Sequence, residues 1–172
     1  MATYLGEVFN VSGQIDDALA LFERAWQFAD SKKILAIGPP VLASLGDAYG
    51  RAGRIDEAVT TGQRALALAR EIGQRGNEAR TLYLLGNIHG YGASANATQA
   101  QEGYQQAMRL AHELGMRPLE AQCHFALGEQ AKKAGKGRSA QERYSKALSM
   151  FRDMGMTFSL ERVESALKEL SA

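Results

Sequence analysis

A Leu-Gly pair returns along the chain at Leu5-Gly6, Leu45-Gly46, Leu85-Gly86 and Leu127-Gly128, with intervals of 40, 40 and 42 residues between the glycines. A fixed period of a few tens of residues makes each period one supersecondary unit that cannot bury its apolar face alone and must stack on its neighbours. Other positions keep the same register. Gly13, Gly53, Ala93 and Gly135 lie seven residues after the four glycines. In the first, second and fourth copies, Ala18, Ala58 and Ala140 lie twelve residues on, Phe22, Gly62 and Tyr144 sixteen, and Ala25, Ala65 and Ala147 nineteen. The third copy joins the pattern once two residues are inserted within Gly92 to Thr98, which brings Ala100, Tyr104 and Ala107 to those places.

The pattern implies two antiparallel helices per period. Gly13, Gly53 and Gly135 each end a helical stretch, where glycine is free to take positive φ and turn the chain. Small residues such as Gly6 with Ala18, or Gly46 with Ala58, let the two backbones approach closely. Ala18, Leu19, Leu21, Phe22, Ala25 and Trp26 in one second helix, and Ala58, Val59, Ala65, Leu66 and Leu68 in the next, recur at three- and four-residue spacing, so each helix has one apolar face. Gly73, Gly115 and Gly155 read as C-terminal caps of second helices, and Lys33 holds the equivalent place in the first copy. Pro39 and Pro118 suit a first helical turn and would break an interior. Helices are therefore expected over residues 2–12, 14–30, 39–52, 55–72, 77–91, 98–114, 118–134, 137–154 and 157–170. The last carries a stripe of Leu160, Val163, Leu167 and Leu170, with Glu161, Arg162, Glu164, Lys168 and Glu169 covering the rest, as a terminal cap requires. The first copy begins abruptly at Thr3-Tyr4-Leu5-Gly6, so a longer array or parent chain is expected to continue from that end.

Composition narrows the function classes. Lys plus Arg total 20 against 19 for Asp plus Glu, and a net charge of +1 supplies no general attraction to nucleic acid or to an anionic membrane. The single Cys123 cannot form an internal disulfide, no apolar run is long enough to span a bilayer, and the N-terminus has neither the basic nor the apolar region of a secretory signal. A reduced cytoplasmic setting is expected.

Leu-Gly, an aromatic three residues on at Tyr49, and alanines at Ala58 and Ala65 resemble the tetratricopeptide repeat. The 40-residue period resembles the long-helix subset of that family, such as kinesin light chain. A closer resemblance is to the C-terminal repeat arrays of bacterial signalling proteins that join a cyclase-like domain to an ATPase domain. It is carried by the segment Ala111 to Leu119, by Cys123-His124-Phe125-Ala126-Leu127-Gly128 and by Met154-Gly155-Met156-Thr157-Phe158. The resemblance implies an all-α fold, an α-solenoid coiled into a right-handed superhelix of about four helix-turn-helix repeats plus a C-terminal capping helix. It forms one domain, with repeats at about 1–32, 33–73, 74–115 and 116–155 and the cap at 156–172. It also implies a cytoplasmic protein-interaction module rather than an enzyme, the sensor or scaffold part of a larger protein. Its partner would be a protein or peptide, or another domain of its own parent, with a homo-oligomer as an alternative and a small-molecule receptor as a remote one.

In such arrays the first helix of each pair lines a concave groove. The positions this implies are Glu7, Asn10 and Val11, then Asp47 and Arg51, then Arg80, Tyr83, Asn87 and Tyr91, then Gln122, Phe125, Glu129, Lys132 and Lys133. Tyr83, Asn87, Tyr91 and Phe125 combine aromatic area with an amide able to hold a peptide backbone. Tyr83 and Phe125 suit packing between neighbouring repeats equally well. The family's clamp of Lys and Asn residues for a terminal carboxylate is not matched, so capture of a free C-terminal tail is not expected.

No catalytic, cofactor or metal site is expected. Cys123 and His124 are adjacent on a helix and point about 100° apart, and His112 lies on another helix, so neither they nor His89 give the four-residue geometry of a helical metal site. The glycine-containing stretch after Gly90 lacks a phosphate-loop pattern and a preceding strand. Lys132, Lys133, Lys136 and Arg138 read as a solvated helix end.

Overall fold

The computed structural model describes residues 13–91 and 96–171. The expected helix at 2–12, with Glu7, Asn10, Val11 and the Gly6–Ala18 approach, lies outside the described residues, as does most of the insertion. Among the described residues there are eight α-helices and no strand. They are α1 (Ile15–Ser31), α2 (Gly38–Arg51), α3 (Ile55–Glu71), α4 (Arg75–His89), α5 (Ala97–Glu113), α6 (Arg117–Lys133), α7 (Gly137–Asp153) and α8 (Thr157–Ser171), with a 3₁₀ turn at Leu35–Ile37 before α2. Each expected helix in the described range is present, with ends displaced by two residues or fewer. The largest displacement leaves Tyr91 beyond the end of α4 rather than inside it.

One closing device ends six helices. At the end of α2 the Gly53 amide donates to the Gly50 carbonyl at 3.1 Å and the Arg54 amide to the Tyr49 carbonyl at 2.9 Å. This pair of bonds satisfies carbonyls that the helix leaves open, and it requires a left-handed residue at the turn. Gly53 supplies it at φ 77°. The same two-bond pattern follows α1, where the residue is Lys33 at φ 54°, the one described non-glycine residue with positive φ. Pro39 and Pro118 sit in first turns, where a missing amide costs nothing.

The chain divides into two compact units, Met1–Gly103 and Tyr104–Ala172. In the first, α2 is the core element: 11 of its 14 residues are buried, and it packs against α1, α3 and α4. Ala18, Leu19 and Phe22 meet Leu45 and Ala48 on one side, and Ala65 meets Leu42 and Ala43 on another. The expected close approach of Gly46 and Ala58 is present: a Cβ on Gly46 would lie 3.1 Å from the Ala58 carbonyl oxygen and 3.2 Å from the Gly62 nitrogen.

In the second unit α7 packs against both α6 and α8. Its core joins Ala121 of α6, Ala140, Tyr144, Ala147, Met150 and Phe151 of α7, and Val163 and Ala166 of α8. Leu160, Leu167 and Leu170, the rest of the expected capping stripe, pack on this cluster from its edge.

Candidate partner-binding faces

The candidate residues of the first unit lie on α2, α4 and the residue after α4. Asp47 is buried at 4% exposure, an expensive place for a carboxylate unless it is partnered. Arg51 Nε donates to its Oδ2 at 2.8 Å, and the Tyr91 hydroxyl donates to its Oδ1 at 2.8 Å. Arg51 also stands 5.8 Å from the centre of the Tyr91 ring. Burial works against the Arg51 charge, but Asp47, with Tyr91 and Tyr83 behind it, outweighs burial and raises its pKa above the ordinary value. Asp47, Arg51 and Tyr91 thus form a clasp across α2 and the end of α4, with Asp47 buried and Arg51 exposed. The outward members of the set are Arg80, which is exposed, and Tyr83 and Asn87, which are half-buried.

The second unit brings Phe125 and Glu129 of α6 to an open cleft of about 350 Å³ whose other wall is α8. Phe125 packs on Tyr144, with ring centres 5.7 Å apart. It also carries the guanidinium of Arg162 at 5.1 Å from its own ring centre. The Tyr144 hydroxyl donates to Glu129. Burial first, then the Glu129 carboxylate, raises the Tyr144 pKa, so this phenol stays protonated. Lys132 donates to Glu169 at 2.6 Å, Gln122 is half-buried and Lys133 is exposed.

The α8 wall was not among the residues expected at the site. It consists of Phe158, Glu161, Arg162, Ser165, Ala166 and Glu169, spaced at three and four residues and so lying on one helical face. The available signal was Phe158. It is an aromatic residue outside the Leu160–Val163–Leu167–Leu170 stripe, and it is 71% exposed.

The histidines and the cysteine fall in separate surroundings. Cys123 is fully buried and burial pushes its thiol up to about 12, so the nucleophilic thiolate is scarce at neutral pH. His124 Nδ1 lies 3.3 Å from Arg143, and burial, followed by that guanidinium, lowers its pKa. His112 pairs with Glu120 at 3.2 Å. Among the described residues no three His, Cys, Asp or Glu side chains gather as a metal site would need, and no helix is long and apolar enough to cross a membrane.

Comparison with known proteins agrees with the repeat. Residues 41–96 match the tetratricopeptide repeat family model. No curated protein is significantly similar to the chain in sequence. Among solved structures, a signal transduction ATPase with numerous domains and a tetratricopeptide repeat sensor, from Pyrococcus horikoshii, superposes with a TM-score of 0.73 at 17% identity, over 94% of this chain and 25% of that one. Aspartyl phosphate phosphatase F from Bacillus subtilis gives 0.76 at 20% identity, over 95% of this chain and 42% of that one. A putative kinesin light chain with nearly identical TPR-like repeats, from Podospora anserina, gives 0.64 at 14% identity, over 99% and 93%. The chain thus spans a quarter to less than half of the first two proteins and nearly all of the third. The 40-residue period, the positive-φ turn that closes the helices and these solved structures together show an all-α solenoid fold of the tetratricopeptide type, with residues 41–96 carrying the family match.

Proposed function

We propose that the chain is a protein-interaction module that binds a peptide or helical segment of a partner on the faces of its leading helices. The cleft beside α6 carries this reading. An aromatic floor at Phe125, an exposed aromatic at Phe158 and carboxylates around them are the apolar anchor and polar rim that recognition surfaces use. Arg80, Tyr83 and Asn87 of α4 supply a second face in the first unit. The fold likeness to a signal transduction ATPase bearing a repeat sensor supports a place as the sensor or scaffold part of a larger signalling protein. The test is affinity capture from the native cytoplasm with three chains: wild type, Tyr83→Ala/Asn87→Ala, and Phe158→Ala. A partner lost from either variant supports the reading. A partner retained equally by all three sinks it.

A second reading, self-association, is favoured by one observation. Phe28, Ile34, Leu35 and Ile37 are all exposed within ten residues at the α1–α2 connection, and apolar surface concentrated in this way commonly marks a contact. A molar mass by light scattering that rises with concentration, and that falls back on Leu35→Ser, would support it. A constant monomer mass would dismiss it.

A further inference from the structure

We infer that the cleft between α6 and α8 selects a basic partner segment, one that sets a Lys or Arg side chain against Glu129 and Glu161 and lays an adjacent apolar side chain on Phe158. The inference rests on the interaction-module reading above and adds the chemistry of the partner.

Three observations carry it. The first is charge. Three carboxylates line the cleft, Glu129, Glu161 and Glu169, against the single guanidinium of Arg162. Lys132 at the rim is bonded to Glu169, so it offsets that one carboxylate, and Glu129 and Glu161 outnumber Arg162 in what remains. The second is that a cation already settles here. Arg162 lies over the face of Phe125 at 5.1 Å, where the ring quadrupole attracts positive charge. The guanidinium is thus held against Phe125, while Glu129 and Glu161 line the same cleft. The third is Phe158, whose 71% exposure gives the apolar half of a segment a foothold beside the acid. A volume of about 350 Å³ suits one or two side chains at the small end of the range of binding clefts. An acidic segment in the same place would meet Glu129 and Glu161 as like charges.

Glu129 is also placed for this role from beneath. The Tyr144 hydroxyl, buried in the core of the unit, donates to its Oε1, which orients the carboxylate without neutralising it. A partner cation therefore meets an acceptor already held in position, and little ordering is required on binding.

The test uses the full chain and two fluorescein-labelled peptides of equal length, one alternating Leu with Lys and the other Leu with Glu, followed by fluorescence anisotropy. The Leu/Lys peptide is expected to bind at least about tenfold more tightly than the Leu/Glu peptide at low salt, with the difference shrinking as salt rises. Glu161→Gln, at an exposed position that does not enter the core, should cut that preference several-fold. Phe158→Ala should weaken both peptides. Glu129→Gln, checked for retained helicity and thermal transition, should add to the loss from Glu161→Gln. Equal binding of the two peptides to the wild-type chain, or an unchanged preference in Glu161→Gln/Glu129→Gln, overturns the inference while leaving the interaction module in place. Failure of both peptides to bind overturns the inference at this cleft, and the cytoplasmic capture separately decides whether the module reading fails with it.

Discussion

The ring of Tyr91 occupies the space that a side chain on Gly50 would fill: a Cβ built there would come within 2.6 Å of the ring. The absence of a side chain at Gly50 is what lets Tyr91 fold back over α2 and deliver its hydroxyl to the buried Asp47 at 2.8 Å. Tyr91→Phe keeps the ring and removes the donor, so it should cost about 1.5–3 kcal/mol, as the loss of one hydrogen bond to a charged buried acceptor does. Gly50→Ala should cost about 1–3 kcal/mol, because the ring must move. Urea unfolding of the three chains checks this. If Gly50→Ala is as stable as wild type, the clasp does not depend on that close approach.

A second pair of glycines separates packing from helix propensity. A Cβ on Gly128 would meet two carbons of the Tyr144 ring at 2.6 Å, whereas one on Gly137 meets nothing within 4 Å. Both residues are helical. Gly128→Ala should therefore destabilise by about 1–3 kcal/mol through overpacking, and Gly137→Ala should be neutral or slightly stabilising, since alanine is the better helix former. Thermal melts of the two variants should move in opposite directions or, at the least, differ by several degrees. Equal shifts would show that Tyr144 yields without cost.

At the end of α1 the chain uses Lys33 at φ 54° where the other five described turns of this kind use glycine. A left-handed residue with a Cβ costs roughly 1–2 kcal/mol, part of which glycine returns through the freedom of the unfolded chain. Lys33→Gly should accordingly stabilise by about 0.5–1 kcal/mol, and the reverse change Gly73→Ala should destabilise by about 1 kcal/mol. Denaturant midpoints decide the matter. A Lys33→Gly midpoint below that of the wild-type chain would contradict the strain.

His124 predicts a pH dependence. Burial, then the Arg143 guanidinium 3.3 Å away, lowers its pKa below the ordinary 6.5. The unfolded chain therefore takes up the proton first as the pH falls, and the folded state loses stability from about pH 6.5 downward until the folded pKa is passed. Above pH 6.5 the contribution is fully present. Denaturant titrations on either side of this value should show a smaller acid loss for His124→Gln than for the wild-type chain. His89, whose pKa burial also lowers, accounts for part of what remains. An identical acid loss in both chains would place the effect elsewhere.

The repeat, its helices and their turns were legible because they are local. A period of 40, a Leu-Gly pair and a small residue twelve positions later specify a helical hairpin through spacing and backbone sterics alone. Even the odd Lys33 was found from its register, since the two-bond closing turn demands a left-handed residue whatever its side chain. The candidate faces were legible only in part. Phe125 and Glu129 were reached through the family pattern. Asp47, Arg51 and Tyr91 were reached by the same route but are bound to one another, because two side chains 44 positions apart in the chain, Asp47 and Tyr91, meet when α4 packs on α2. Glu161 and Arg162 read from the sequence as the outer coat of a cap, and Phe158 as no part of a groove, since nothing in a sequence tells whether a polar helical face looks at water or across a cleft.

From its order of residues alone this chain was bound to be an all-α array of hairpins, because helix ends, apolar stripes and close-approach glycines are governed by neighbours within one period. Which polar groups are spent inside the array and which still face outward was settled only by the packing of helices from different parts of the chain. Packing brought Tyr144 beneath Glu129 and Arg162 over Phe125, pairings between residues on different helices that no local rule sets.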